Sequence, residues 1–175
     1  MANLLRLTSI LGLAAVLSSC ASTAAPIAST AARSRVHKVK TTAYCANDGG
    51  SGTRNAIGQR LSAGTVRSAS SDWSRFPLGT RFRVVRTGQE YVIDDYGGAL
   101  IGTNTIDLYK PSRSAMYSWG VRHEEIEILH WGSANDSLKV LRQRRGVGKV
   151  RRMIASLESK PQQQLLPTSE LGRVR

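Results

Sequence analysis

The sequence predicts a small, mainly β domain with one short helix, framed by a flexible N-terminal tether and a basic, partly helical C-terminal tail. Three observations predict it. Between residues 36 and 129, runs of β-branched and aromatic residues alternate at short intervals with turn signals. Only residues 112–119 carry a helix's punctuation there, with Pro111 just before the first turn and Gly120 just past the end. Charge is nearly balanced from residue 41 to 132, with ten Lys and Arg against nine Asp and Glu, so the excess in the net +13 lies outside this region.

Residues 1–20 read as a targeting segment. Arg6 supplies a positive start, and the apolar run at 10–17 is too short to span a bilayer. Leu17-Ser18-Ser19-Cys20 matches a lipoprotein cleavage box, which makes Cys20 a lipidation site, and an ordinary secretory cleavage near Ala24 is the alternative. Each buried acyl methylene contributes roughly 0.8 kcal/mol, so two or three chains anchor a protein stably. With Ala21 and Ser22 following Cys20, the expected location is the outer membrane of a two-membrane bacterium, facing the periplasm. Residues 21–40, rich in Ala, Ser and Thr, read as a linker.

Strand-like runs fall at 36–45, 81–86, 91–94, 105–109 and 125–129, with a hairpin turn at Thr87-Gly88-Gln89. Periodicity leaves barrel and sandwich equally open. Once Cys20 is lipidated, Cys45 is alone, and a buried inert thiol, an intermolecular bridge and a reactive group all stay open. None of the three histidines sits in a nucleophile-activating motif, and no cluster has metal-ligand spacing, so neither a metal nor a cofactor is expected. Beyond Asp136 the tail holds ten basic residues against Glu158 and Glu170. Val147, Val150, Ile154 and Leu157 fall at helical spacing, which predicts a basic amphipathic helix broken near Gly146 and Gly148, and residues from Lys160 read as disordered.

The densest chemistry lies in residues 91–112, where Asp94, Asp95 and Asp107 share a stretch with Gly97, Gly98 and Gly102. Strand residues alternate faces, so Asp107, between Ile106 and Leu108, must leave the apolar core or be partnered within it. A groove would receive it. Asp94 and Asp95 equally fit a turn-capping role.

With the segment before it, this stretch resembles the three-aspartate (3D) domain, which is shared with membrane-bound lytic transglycosylase A. The resemblance covers residues 41–132 and rests on TTAYC at 41–45, SDWSRFPLGTRFRV at 71–84, DYGGALIG at 95–102, IDLY at 106–109 and SAMYSWGVRHEEIEIL at 114–129. It implies a six-stranded double-psi β-barrel, places the three aspartates on Asp72, Asp95 and Asp107, and makes Asp107 the general acid/base. Two departures are visible: twelve residues separate Asp95 from Asp107, one more than is usual, and Asp72 is followed by Trp73 instead of proline.

The activity so implied is lytic cleavage of the β-1,4 bond between N-acetylmuramic acid and N-acetylglucosamine in peptidoglycan glycan strands. Asp95 and Asp72 take supporting roles, and Trp73, Tyr96, Gly97, Gly98 and Tyr109 are candidate sugar-binding residues. Trp119, at a helix end, reads as core. The competing reading is a wall-binding or wall-loosening lipoprotein on the same barrel without bond cleavage. A third is a structural tether holding membrane to wall through the tail. The tail's expected partner is an anionic lipid or the wall polymer. Nucleic acid is excluded because export removes the protein from it.

Overall fold

The structure, a computed structural model, describes residues 35–46 and 52–159. Cys20, the leader, most of the tether and the segment from Lys160 lie outside the described residues. Six strands, β1 (Val36–Tyr44), β2 (Val66–Ser70), β3 (Arg81–Val84), β4 (Glu90–Asp95), β5 (Thr105–Tyr109) and β6 (Arg122–His130), close into a barrel in the order β1-β5-β2-β4-β3-β6. The β1/β5 and β2/β4 pairs are parallel and the other four antiparallel. This is the closed six-stranded ring implied by the resemblance.

The barrel is filled by inward-pointing alternate residues. Phe82, Val84, Ile93, Ile106, Leu108 and Ile126 are all fully buried, and the Phe82 and Tyr91 rings stack at 5.5 Å. A short helix, α1 (Arg113–Trp119), follows β5, as its punctuation predicts: the Ser112 hydroxyl accepts from the Ala115 N–H, and Gly120 ends it at φ 62°.

Two features differ from expectation. The strand β2 has no β-branched run to announce it: its buried residues are Ser68, Ala69 and Ser70, small side chains that fit between neighbouring strands. The region after residue 132 also belongs to the folded body instead of trailing from it. Helices α2 (Ala134–Arg142) and α3 (Gly148–Glu158) form a hairpin broken where the glycines lie. Leu138, Leu141, Val150, Met153 and Leu157 join the same apolar cluster as the barrel residues. Thus the described residues contain three short helices, one within the barrel sequence and two in the basic segment expected to be partly helical.

The hairpin is held against the loop before β3. Leu78 N–H donates to the Ser137 hydroxyl at 2.9 Å, and Leu78 C=O accepts from Ser133 N–H at 2.9 Å. Gly132 sits where this chain crosses: a Cβ there would fall 2.2 Å from Leu78 O and 2.4 Å from Thr80 N. No side chain fits against backbone at that distance. Across the hairpin, Arg142 reaches Glu158 at 2.8 Å. No helix among the described residues is long and apolar enough to cross a membrane.

Candidate functional site

The register of three neighbouring strands assembles the site. Asp107 on β5 lies opposite Thr42 on β1 and opposite Ser70 on β2, and Ser70 in turn lies opposite Asp95 on β4. Between Ala69–Ile93 and Ser70–Asp95 the β2/β4 ladder skips Asp94, an irregularity that adds one residue to β4. The Asp94 carboxylate remains near enough for its charge to act on Asp95. Asp95 and Asp107 are two strand spacings apart, roughly 10 Å between Cα atoms.

These residues line a groove of about 410 Å³, whose walls include Tyr44, Arg54, Asn55, Ser70, Asp95, Tyr96, Gly97, Asp107 and Arg144. Asp95 and Asp107 thus share one cavity despite the longer connection between them.

Asp107 points away from the core, since Ile106 and Leu108 on either side are fully buried inside the barrel. The Thr42 hydroxyl donates to its Oδ1 at 2.7 Å. Burial pushes the Asp107 carboxyl above the usual carboxylate range, and the Thr42 bond offsets this only in part. Burial likewise pushes Asp95 up, to about 6, with the neighbouring Asp94 charge adding to the rise. The Tyr96 N–H bond to Asp95 Oδ1 at 2.8 Å and the Arg144 charge oppose it. Asp94 is raised by burial too, and its Oδ2 accepts from Ser68 at 2.6 Å and Asn55 at 2.9 Å. Its role is to tie the 52–61 loop to the barrel. Burial and the surrounding carboxylates push the Tyr44 phenol upward, so the groove wall carries a neutral hydroxyl.

Asp72 stands elsewhere. Its Oδ1 accepts from Ser74 N–H at 2.8 Å and its Oδ2 from Gly102 N–H at 2.7 Å, and it faces a separate cavity with Arg75, Gly102 and Arg152. Gly102 has φ 85°, a conformation that favours glycine. Asp72 therefore clamps the loop that joins Asp95 to Asp107, and positions them from outside the groove.

The sugar-binding expectations divide. Tyr96 and Gly97 line the groove. Trp73 does not: it is fully buried, its Nε1 donates to the Asp95 carbonyl at 2.8 Å, and its ring meets Tyr96 edge-on at 5.1 Å. An indole enclosed by protein has no face left for a sugar, so Trp73 supports the site from below. Tyr109 is buried against Tyr44 at 5.5 Å between rings. Gly98 is outside the groove, and a Cβ on it would lie 3.5 Å from the Lys149 side chain of α3. Trp119 is half-buried, donates to the Thr41 hydroxyl at 3.2 Å and has the Lys110 ammonium 4.0 Å above its ring.

Tyr44, Arg54, Ser70 and Arg144 are groove residues that inspection of the sequence does not single out. Only pairing register could find Tyr44 and Ser70. Arg144 is hidden because it lies in the turn between α2 and α3, inside a run that reads as a solvated basic tail.

No family model matches the chain. The chain is 37% identical over 93 residues to the cell wall-binding protein YocH of Bacillus subtilis (strain 168), a match that covers 53% of this chain and 32% of that protein. It is 32% identical over 97 residues to the putative cell wall shaping protein YabE of the same organism, covering 55% of this chain and 23% of that protein. The similarity therefore spans about a third of one relative and a quarter of the other.

Proposed function

We propose that this chain is an exported cell-wall protein of the three-aspartate type that cleaves peptidoglycan glycan strands by lytic transglycosylation, with Asp107 as the single general acid/base. The observation that carries the reading is a carboxyl group set on the outer face of a core strand, held by Thr42 in a polar groove and raised in pKa by burial. An acid must keep its proton near the working pH to give it away, and an ordinary aspartic acid does not. The wall-related names of both relatives support the choice of polymer.

In the proposed reaction, Asp107 protonates the glycosidic oxygen between N-acetylmuramic acid and N-acetylglucosamine as the C1–O bond breaks. The carboxylate left behind then takes the proton of the same muramic residue's C6 hydroxyl, whose oxygen closes onto C1. The product is a 1,6-anhydro sugar, and Asp107 ends as it began. No water and no second catalytic carboxylate are consumed, unlike in ordinary glycosidases. Asp95 helps to stabilise the oxocarbenium-like charge or hold sugar hydroxyls, and Asp72 keeps the connecting loop in place.

A second reading, wall binding without cleavage, is favoured by the name of the first relative, a cell wall-binding protein. Mass spectrometry of fragments released from purified peptidoglycan separates the two. The soluble protein from Ala21 onward releases anhydro-muropeptides, and an Asp107→Asn variant with matched thermal unfolding releases none. A parent protein that sediments with the wall and releases nothing leaves only the binding reading.

A further inference from the structure

Two guanidinium groups stand at the groove whose floor holds Asp95 and Asp107. Arg54 comes from the loop after β1 and Arg144 from the turn between α2 and α3. Each is tethered and not paired. Arg54 donates to Gly58 C=O at 2.6 Å. Arg144 donates to Ala56 C=O at 2.6 Å and lies 5.8 Å over the Tyr96 ring. Among the described residues neither is ion-paired with a carboxylate. Arginines engaged by neutral carbonyls keep their full charge while their fork is fixed in direction, which is the arrangement that recognises a planar oxyanion.

We infer that this groove selects a glycan bearing a carboxylate, with Arg144 as the specificity-determining residue and Arg54 assisting; the inference rests on the glycan reading of the site. The hairpin that carries Arg144 is packed into the same core as the barrel, so the arm is presented by a rigid element and not by a mobile tail. A neutral polysaccharide such as chitin would fit the same floor but bring no charge of its own to either guanidinium group. The lactyl ether of a muramic residue supplies one wherever its stem peptide has been removed, because the peptide is joined to that carboxyl as a neutral amide. Burial raises the pKa of both acids beneath, so at mildly acidic pH they oppose an anion at the rim less than ordinary carboxylates would.

The test compares two ligands of equal length, a muramic-type glycan strand stripped of peptides, with a lactyl carboxylate on alternate sugars, and a chitin oligomer with none. Binding is measured by calorimetry at about pH 6, using the full chain in an Asp107→Asn background that prevents turnover. The starting protein prefers the carboxylated strand by about tenfold, the scale of one charge-assisted bond. Arg144→Gln lowers the affinity for the carboxylated strand more than that for chitin and so brings the two together, Arg144→Lys keeps part of the preference, and Arg145→Gln, one residue away and outside the groove, keeps it all. A residue serving only to hold the hairpin would lower both affinities alike, which overturns the inference. So does equal binding of the two ligands by the starting protein, an outcome that leaves the glycan reading standing. If it binds neither ligand, that reading falls and this one with it.

Discussion

At the scale of single residues, the site carries carboxyl groups whose environments resist charging, and this has a sign that can be worked out. The folded pKa of Asp95 is raised from 3.8 to about 6. Such a group contributes stability below the unfolded value and loses it as pH rises through the folded one. Asp94 and burial oppose its charge, while the Tyr96 and Ala56 backbone N–H groups and the Arg144 guanidinium favour it. Asp95→Asn is therefore expected to stabilise the protein by about 1–2 kcal/mol at about pH 7, with no difference below about pH 4. Thermal melts across that range check this; a variant less stable at neutral pH would show that the charged carboxylate holds the fold together. That Asp107 leaves the core was legible from the alternation of Ile106, Asp107 and Leu108, because a strand cannot hide three consecutive side chains on one face; its role rests on the resemblance. Trp73 was misread as a groove wall because adjacency to Asp72 says nothing of direction: the indole turns inward to bond the Asp95 carbonyl.

At the scale of elements, β5 was read at its observed ends and α1 to within one residue, since each has clear boundaries in turn residues. The strand β2 was not, because Ser68, Ala69 and Ser70 owe their burial to neighbours distant in sequence. The helical hairpin was read correctly as helix and wrongly as tail: basic residues dominate its exposed surface, while Leu141 and Leu157 on the other face are nearly inaccessible. Leu141→Ala is expected to cost about 2–5 kcal/mol, as for other buried leucines, when followed by denaturant unfolding. An effect below about 0.5 kcal/mol, typical of surface positions, would return the hairpin to the status of a tail. Gly132→Ala should be at least as damaging, since its Cβ would meet backbone on both sides. Deleting everything after Asn135 would for the same reason strip the barrel of part of its core and could not serve as a clean test of tethering.

At the scale of the whole molecule, the net charge of +13 is distributed so that the barrel is nearly neutral and the surroundings are cationic. Association with an anionic wall should weaken as salt rises, because the screening length falls from about 10 Å at 0.1 M to about 3 Å at 1 M. Co-sedimentation with purified wall across that range reads the effect, and a salt-independent yield would assign retention to the groove instead. A lipid on Cys20 is an independent expectation: labelled palmitate should enter the parent and be lost in Cys20→Ala.

The closure of the six strands into a ring also bears on which part of the wall polymer can be grasped. Every strand has a neighbour on each side, so among the described residues no strand runs its whole length along an open edge to which an extended peptide could add as a further strand. On the proposed function the sugar chain is held through side chains gathered at one end of the ring, and the grip should be indifferent to how the peptides are joined.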